Sequence, residues 1–478
     1  MEMDRRLSHY WNGQGGCGEV FKIAMPLIIS TSAYTIQMFI DRVFLMWYSS
    51  EAMAAAMFSG MTSFTIFSLF LGTALYVNTF VAQYVGAGRA HRVGAAVWQG
   101  IYFSIGAGLL MAAIAPFAGT IVGWAGHEAV VQREEATYLR ILLIGSLPVL
   151  LSSVLGCFYT GRAKMWTVMW ADIGGTVVNI VLDYAWIFGH WGFPRWGIAG
   201  AAWATVAASV FTVIVFAILV LQKEYRLLYH TVSSWRFDGE LFMRMMRFGV
   251  PSGVQFMLDV IGWSMFLAFI GRINTLSLTA TAIAFQINTL AFMPMIGFST
   301  AVSTLVGRYL GADKPELAAR STWSATYMTM VYMAAIAAGY WLVPDVFMWP
   351  FAANADAAQF AAVRPMVVNL LLFVGFYCLF DTGNLIFSAA VKGAGDTRFV
   401  MFMSVALSWV VLIIPSYLAI RFVEGVHGLY WAWAAATAYV CLLAVVFMLR
   451  FIAGKWKTMR VIEASPRTVA VAPIPTGE

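Results

Sequence analysis

Apolar residues along this chain fall into about twelve long blocks separated by short polar turns. The blocks lie near residues 20–47, 54–82, 94–122, 138–158, 166–189, 198–222, 246–271, 279–306, 320–343, 366–390, 399–420 and 428–452. Each has roughly 20 residues or more, the length a helix needs to cross about 30 Å of hydrocarbon. Lipid offers no partner to an open backbone amide, so spans of this length are predicted to be helical. The expected fold class is an all-α integral membrane protein with about twelve transmembrane helices. Composition agrees. Of 478 residues, 61% are hydrophobic and 11% charged, with a mean hydropathy of +0.78. A soluble domain carries about 25% charged residues, so this chain has too little charge to cover a surface facing water. The lipid bilayer is therefore its first expected partner.

The longest polar interruption, "QKEYRLLYHTVSSWRFDGELFMRMMRFG" from Gln222, divides the blocks six and six. Its end reads as an amphipathic segment on the membrane surface. The predicted units are an N-lobe over 1–222, a linker over 223–245, and a C-lobe with its tail over 246–478. The halves are alike. "VAQYVGAGRAHRVGAAVW" from Val81 matches "VGRYLGADKPELAARSTW" from Val306, so that Tyr84 meets Tyr309, Gly86 meets Gly311 and Trp98 meets Trp323. The same offset pairs Pro26 with Pro251, and a weaker echo pairs "GIAGAAWA" from Gly197 with "GLYWAWAA" from Gly428. Six helices per half give both halves one orientation. This predicts two parallel repeats about an axis along the membrane normal, with a substrate path between them.

The net charge of +6 raises the question of nucleic acid. Its distribution answers it. With the N-terminus placed in the cytoplasm, every Lys and Arg except Arg42, Arg133, Arg140, Arg195, Arg272, Arg364 and Arg421 falls on the inner side. That bias is the positive-inside rule. It predicts a multi-pass protein of the cell's inner or plasma membrane with both termini cytoplasmic, and no nucleic-acid partner. Cys17, Cys157, Cys378 and Cys441 have no metal or disulfide spacing. The first block is long and lacks a small-residue cleavage site, so it reads as a helix rather than a removable signal.

Five carboxylates interrupt these blocks: Asp41, Asp172, Asp183, Asp259 and Asp381. An acid inside a membrane costs roughly 2.5–3.5 kcal/mol on insertion scales and faces the bundle interior or water. The neighbours of these acids form stripes at helical spacing. They are Ser30, Tyr34, Gln37 and Asp41; Asp172, Asn179 and Asp183; Ser252, Gln255 and Asp259; and Tyr377, Asp381, Asn384 and Ser388. The ordinary explanation of a single intramembrane acid is a bond to a neighbouring helix or to an arginine. Arg42 beside Asp41 is a poor partner, because adjacent helical residues point about 100° apart. For Asp172, placed nearer the cytoplasmic end, a structural and a functional role have equal standing. The prolines read as packing kinks, and the many Met, Phe and Trp as core or lipid-facing residues. His91, His127, His190, His230 and His427 fall in predicted loops, away from any membrane proton relay.

No enzyme constellation appears: there is no phosphate-binding loop of the G-x-x-x-x-G-K-[ST] type, no H-E-x-x-H and no nucleophile elbow. The paired "VAQYVGAGRAHRV" and "VGRYLGADKPELA", the run "AIAFQINTLAFMPMIGFSTAVSTLVG" and "VVNIVLDYAWIFG" resemble the multidrug and toxic compound extrusion (MATE) transporters over nearly the whole chain. The resemblance implies two six-helix lobes around a V-shaped cavity. It also implies secondary active efflux of small amphiphilic, often cationic compounds in exchange for protons or sodium, with no other cofactor. By the same resemblance, Asp41, Asn179, Asp183 and Thr205 match an N-lobe cation site, which would be the place for sodium. Asp259 and Asp381 match C-lobe acids and Gln286 a helix-eight glutamine. Tyr34, Gln37 and Asn384 join Asp259, Gln286 and Asp381 as candidates for the substrate cavity or a second site.

The chemistry is compatible with either ion. Burial favours the protonated form of a carboxylic acid, which can then trade protons near neutral pH. Several hard oxygens together also suit a small cation. Asp41 is expected to be where ion and substrate binding are coupled. A monomer is expected. Two other readings compete: a flippase for lipid-linked sugars, which would want a basic cavity, and a membrane-embedded enzyme or receptor, which the duplicated halves and missing catalytic set disfavour.

Overall fold

A computed structural model describes residues 11, 13–352, 357–423 and 425–463. The basic residues Arg5, Arg6 and Arg467 and both chain ends lie outside the described residues. Among those described there is no strand. Ten helices are long and apolar enough to span a membrane, or up to twelve when each of two bent pairs is one span.

We number the spans in chain order. In the first half α1 is Cys17–Tyr48, α2 Ser50–Gly86, α3 Ala90–Gly123, α4 Ala129–Ile144 with Ser146–Thr160, α5 Met165–Phe188 and α6 Ile198–Val220. In the second, α7 is Gly239–Gly271, α8 Thr275–Gly311, α9 Pro315–Leu342 with Pro344–Phe351, α10 Phe360–Ala394, α11 Thr397–Phe422 and α12 Val426–Ile452. The bends have local causes. In α4 a glycine, Gly145, separates the two helical stretches, which meet at 41°. In α9 the chain turns by 78° before Pro344, whose ring cannot continue a helix. In α11 the stretch Ser408–Ile413 is wound as π-helix, just ahead of Pro415, which has no N–H to donate to the turn before it. The expected surface segment before α7 is not separate. It is the first turns of α7, started by Asp238, whose carboxylate accepts from the Leu241 amide at 3.0 Å.

Packing repeats as the sequence does. α1 packs on α5 as α7 packs on α11, α2 on α4 as α8 on α10, and α5 on α6 as α11 on α12. The halves meet through α1 on α8 and α2 on α7, again a related pair, and through the end of α2 on α8. This last crossing is made by the repeated motif itself. A Cβ on Gly86 would lie 1.9 Å from the Arg308 carbonyl oxygen, and one on Gly311 would lie 2.2 Å from the Gln83 carbonyl oxygen. Gly86 and Gln83 in α2 correspond to Gly311 and Arg308 in α8, so the two contacts are the same contact seen from each half. Beside them Asn78 Nδ2 donates to Thr304 Oγ1 at 3.1 Å, Tyr76 OH to the Lys392 carbonyl at 2.8 Å, and Gln83 Nε2 to the Gly393 carbonyl at 3.1 Å. These bonds join the lobes at the end of the bundle that carries most of the basic residues.

The segment after α12 adds a strap across the same end. Trp456 is buried, with its ring stacked 4.8 Å from Phe451. The Val461 amide donates to Gln83 Oε1 at 2.8 Å. Val461 and Ile462 are buried in the N-lobe core with Phe80, Leu241 and Met245. Glu463 then accepts from Tyr84 OH and Arg244, each at 2.7 Å, and pairs with Arg92 at 3.4 Å and Arg89 at 3.6 Å. Arg92 also holds Asp238 at 3.0 Å. Partial burial pushes the Glu463 carboxyl up. Its backbone and Tyr84 hydrogen bonds and the charges of Arg92 and Arg244 outweigh this and hold it below the usual glutamate range.

Two outcomes are expected. Gly86→Ala puts a methyl against a backbone carbonyl that no side-chain motion can clear, and overpacking costs about 1–3 kcal/mol. It should lower the thermal midpoint of the purified protein, whereas Gly106→Ala, with nothing within 4 Å of the new Cβ, should not. Equal midpoints would remove the crossing from its structural role. For the strap, a carboxylate held below its ordinary pKa contributes above that value and loses its contribution as pH falls. Amide-exchange protection of residues 455–463 should therefore drop as pH falls below about 4.5, the ordinary glutamate value. Glu463→Gln should show the same loss at neutral pH. Unchanged protection in the variant would show that the buried Trp456 and Val461 hold the strap alone.

Candidate functional site

α1 and α5 leave the basic end side by side and in parallel, so the polar stripes read from sequence face each other rung by rung. Ser30 Oγ donates to Asp172 Oδ2. Seven residues along α1, Gln37 Oε1 accepts from Thr176 at 3.1 Å. The Gln37 and Asn179 amides meet at 3.0 Å, and the Asn179 amide lies 3.0 Å from Asp183 Oδ2. Asp41 and Asp183, which lie close enough to act on one another electrostatically, form the last rung. The numbering keeps one register throughout, 30 with 172, 37 with 179 and 41 with 183.

The last rung is buried. Asp183 is fully covered, Asn179 1% exposed and Asp41 9% exposed. Asp41 Oδ1 and Asp183 Oδ1 have no hydrogen-bond partner among the described residues. Two carboxylate oxygens that only accept, shut away from water, are costly unless a proton or a cation sits on them. Thr205 from α6 completes the surroundings, its Oγ1 3.5 Å from the Asn179 amide and donating to the Ala201 carbonyl at 3.2 Å. Tyr138 from α4, also buried, lies within electrostatic reach of both acids. Sequence reading passed over Tyr138, because a tyrosine near the end of an apolar block carries no spacing signal of its own. Tyr34, on the same stripe as Asp41, is 52% exposed.

A separate cavity of about 1020 Å³ lies between the lobes. α1, α2, α4, α5 and α6 line one wall, and α7, α8, α10, α11 and α12 the other. Its floor is the Tyr76, Asn78 and Lys392 contact between lobes. Asp172, Asp259 and Asp381 line it, with Asn384, Gln255, Ser252 and Asn288. Asp41, Asn179, Asp183, Thr205, Tyr34, Gln37 and Gln286 are not part of the lining. Gln286 is on an exposed face of α8. Asn288, two residues on, faces the cavity, donates to Tyr377 OH at 3.0 Å and accepts from Cys378 at 3.2 Å. Two helical residues differ by about 200° in direction, and only packing tells which one points inward.

The structure also moves Lys392. It does not sit free at the basic end of α10. Its Nζ donates to Gln255 Oε1 at 3.4 Å, and Gln255 Nε2 donates to Asp259 Oδ2 at 3.1 Å. The C-lobe acid thus has an internal cation relayed through one amide. Asp381 accepts from Asn384 at 3.0 Å. Among the described residues no cluster of three or more His, Cys, Asp or Glu suits a metal ion. The last rung in the N-lobe holds two carboxylates, Asp41 and Asp183.

Comparison with known proteins gives one answer. The MatE family model matches residues 26–185 and 251–418, two segments whose starts are the paired Pro26 and Pro251. A probable multidrug resistance protein NorM from Thermotoga maritima is 24% identical over 93% of this chain and 94% of its own length. The multidrug resistance protein PmpM of Pseudomonas aeruginosa is 27% identical over 82% of this chain and 81% of its own. A solved MATE transporter of the MOP superfamily, in an outward-facing conformation, superposes with a TM-score of 0.83 over 93% of this chain and 98% of that one, at 18% identity. With both repeats matched by one model and the two-lobe fold shared, the chain belongs to the MatE family, the MATE transporters its motifs resemble.

Proposed function

We propose that this protein is a secondary active exporter of amphiphilic, cationic small molecules. It resides in the cell's inner membrane with both chain ends in the cytoplasm, and inward movement of protons drives it. The observation that carries the reading is the Asp41–Asp183 rung, with two buried carboxylate oxygens that lack a hydrogen-bond partner among the described residues. A site of this kind takes up a cation when the lobe opens to one side and gives it up on the other. The multidrug resistance names of the relatives support the substrate class. The acids lining the cavity support it independently. Protons are placed ahead of sodium because Asp41 and Asp183 are deeply buried and few neutral oxygens, chiefly those of Asn179 and Thr205, stand by them for a hard cation, which wants about six. Coupling follows if ion and substrate stabilise different lobe arrangements.

The test is dye transport in proteoliposomes with an imposed pH gradient and no sodium. Wild type should transport under the gradient. Asp41→Asn and Asp183→Asn should each abolish transport. The double variant should lose nothing further, since the two act as one unit. Both single variants should fold with thermal midpoints no lower than wild type, because an amide is cheaper to bury than an unpaired carboxylate. Transport that needs sodium and ignores the pH gradient would replace the proton with sodium. Transport driven by neither would overturn the exporter.

A further inference from the structure

The two ends of the α1–α5 ladder have different surroundings. Asp41 and Asp183 are enclosed and stand outside the cavity lining, while Asp172 is half-buried and opens onto the cavity. Asp172 and Asp183 are eleven residues apart on one straight helix face, which is about 16 Å at 1.5 Å per residue. A substrate in the cavity therefore meets Asp172, whereas the last rung is a separate station.

The charges of the cavity point the same way. Lys392 is the basic residue of the lining, and it is committed, through Gln255, to Asp259 on the C-lobe wall. Asp381 on that wall is held by Asn384. On the N-lobe wall Asp172 is the acid, and the hydroxyl of Ser30 is its hydrogen-bond partner among the described residues. Ser30 orients the carboxylate without neutralising it. On the same N-lobe wall Leu27, Met61, Phe64, Val168 and Phe216 give an apolar lining. A carboxylate without a matched base, fixed by one hydroxyl on a wall that also carries aliphatic and aromatic side chains, suits a cation of dispersed charge on a greasy body.

We infer that Asp172 is the N-lobe's substrate-binding carboxylate and that Ser30 positions it. The lobe thus divides two cation-binding tasks between the ends of one helix pair, the substrate at Asp172 and the coupling ion at Asp41 and Asp183. This rests on the exporter reading, and it replaces the expectation that substrate and ion meet at Asp41. A substrate at one end and an ion at the other act on each other through the shared α1–α5 packing rather than by competing for one carboxylate.

Two ions of one shape and opposite charge test this: tetraphenylphosphonium and tetraphenylborate, each in equilibrium binding to the purified full-length protein in nanodiscs. Asp172→Asn should weaken tetraphenylphosphonium by about tenfold or more, the loss of one charge-assisted contact. It should leave tetraphenylborate no weaker. Asp172→Glu should bring the cation back to within about threefold of wild type. Asp41→Asn should bind the cation within the same limit although it no longer transports. If Asp172→Asn binds the cation as wild type does, or loses both ions alike, the assignment is overturned, the second result giving Asp172 a structural role. If Asp41→Asn loses the cation as fully as Asp172→Asn does, the division of tasks is overturned. Wild type that transports no dye under a pH gradient and binds neither ion would instead refute the exporter reading beneath it.

Discussion

The contact on which the structure depends is the crossing of α2 and α8 at the basic end. Two glycines let two helix backbones approach until each carbonyl occupies the space of the other's missing Cβ. In a membrane the hydrophobic effect does not drive helices together, so close packing of small residues and interhelical hydrogen bonds must. Gly86 and Gly311 supply the first, and Asn78, Tyr76 and Gln83 the second. Because the crossing sits at one end, the lobes are joined below the cavity and are free to shape a space above that floor. The repeat makes the crossing nearly symmetrical, so one duplicated motif provides both halves of the joint.

The strap after α12 departs from that symmetry. It carries the last C-lobe helix's continuation onto the N-lobe and binds it by a buried apolar pair and one glutamate shared among Arg89, Arg92 and Arg244. A surface ion pair is worth little alone, but here the charges share one carboxylate over buried side chains. Gln83 links the strap to the crossing, since one of its amide atoms accepts from Val461 and the other donates to Gly393. Any motion that parts the lobes at this end must break both.

The interior follows a different economy. Each membrane acid is costly, and each is given a different compensation. Asp259 has a lysine relayed through Gln255, Asp381 has Asn384, Asp172 has Ser30 and the cavity, and Asp41 with Asp183 are left with orphaned oxygens. The least compensated acids are those at which the exporter reading puts the coupling ion. On that reading, stability is given up where the ion comes and goes.

Much of this was legible in the chain. Block length and hydropathy determined an all-helical membrane protein, because lipid permits few other spanning structures. The repeated motif determined two like-oriented halves, and helical periodicity put Ser30, Gln37 and Asp41 on one face and Asp172, Asn179 and Asp183 on another. These are local properties, set by the backbone's rise and turn. Which faces meet is not local. Only the packing brought the α1 stripe into register with that of α5, turned Asn288 and not Gln286 inward, drew Lys392 from an expected helix end into the cavity wall, and enclosed Asp41 while opening Asp172. Each of those outcomes depends on the rotation of one helix against another, which side-chain volumes and glycine crossings decide across long sequence separations, beyond the reach of any spacing rule within a single helix.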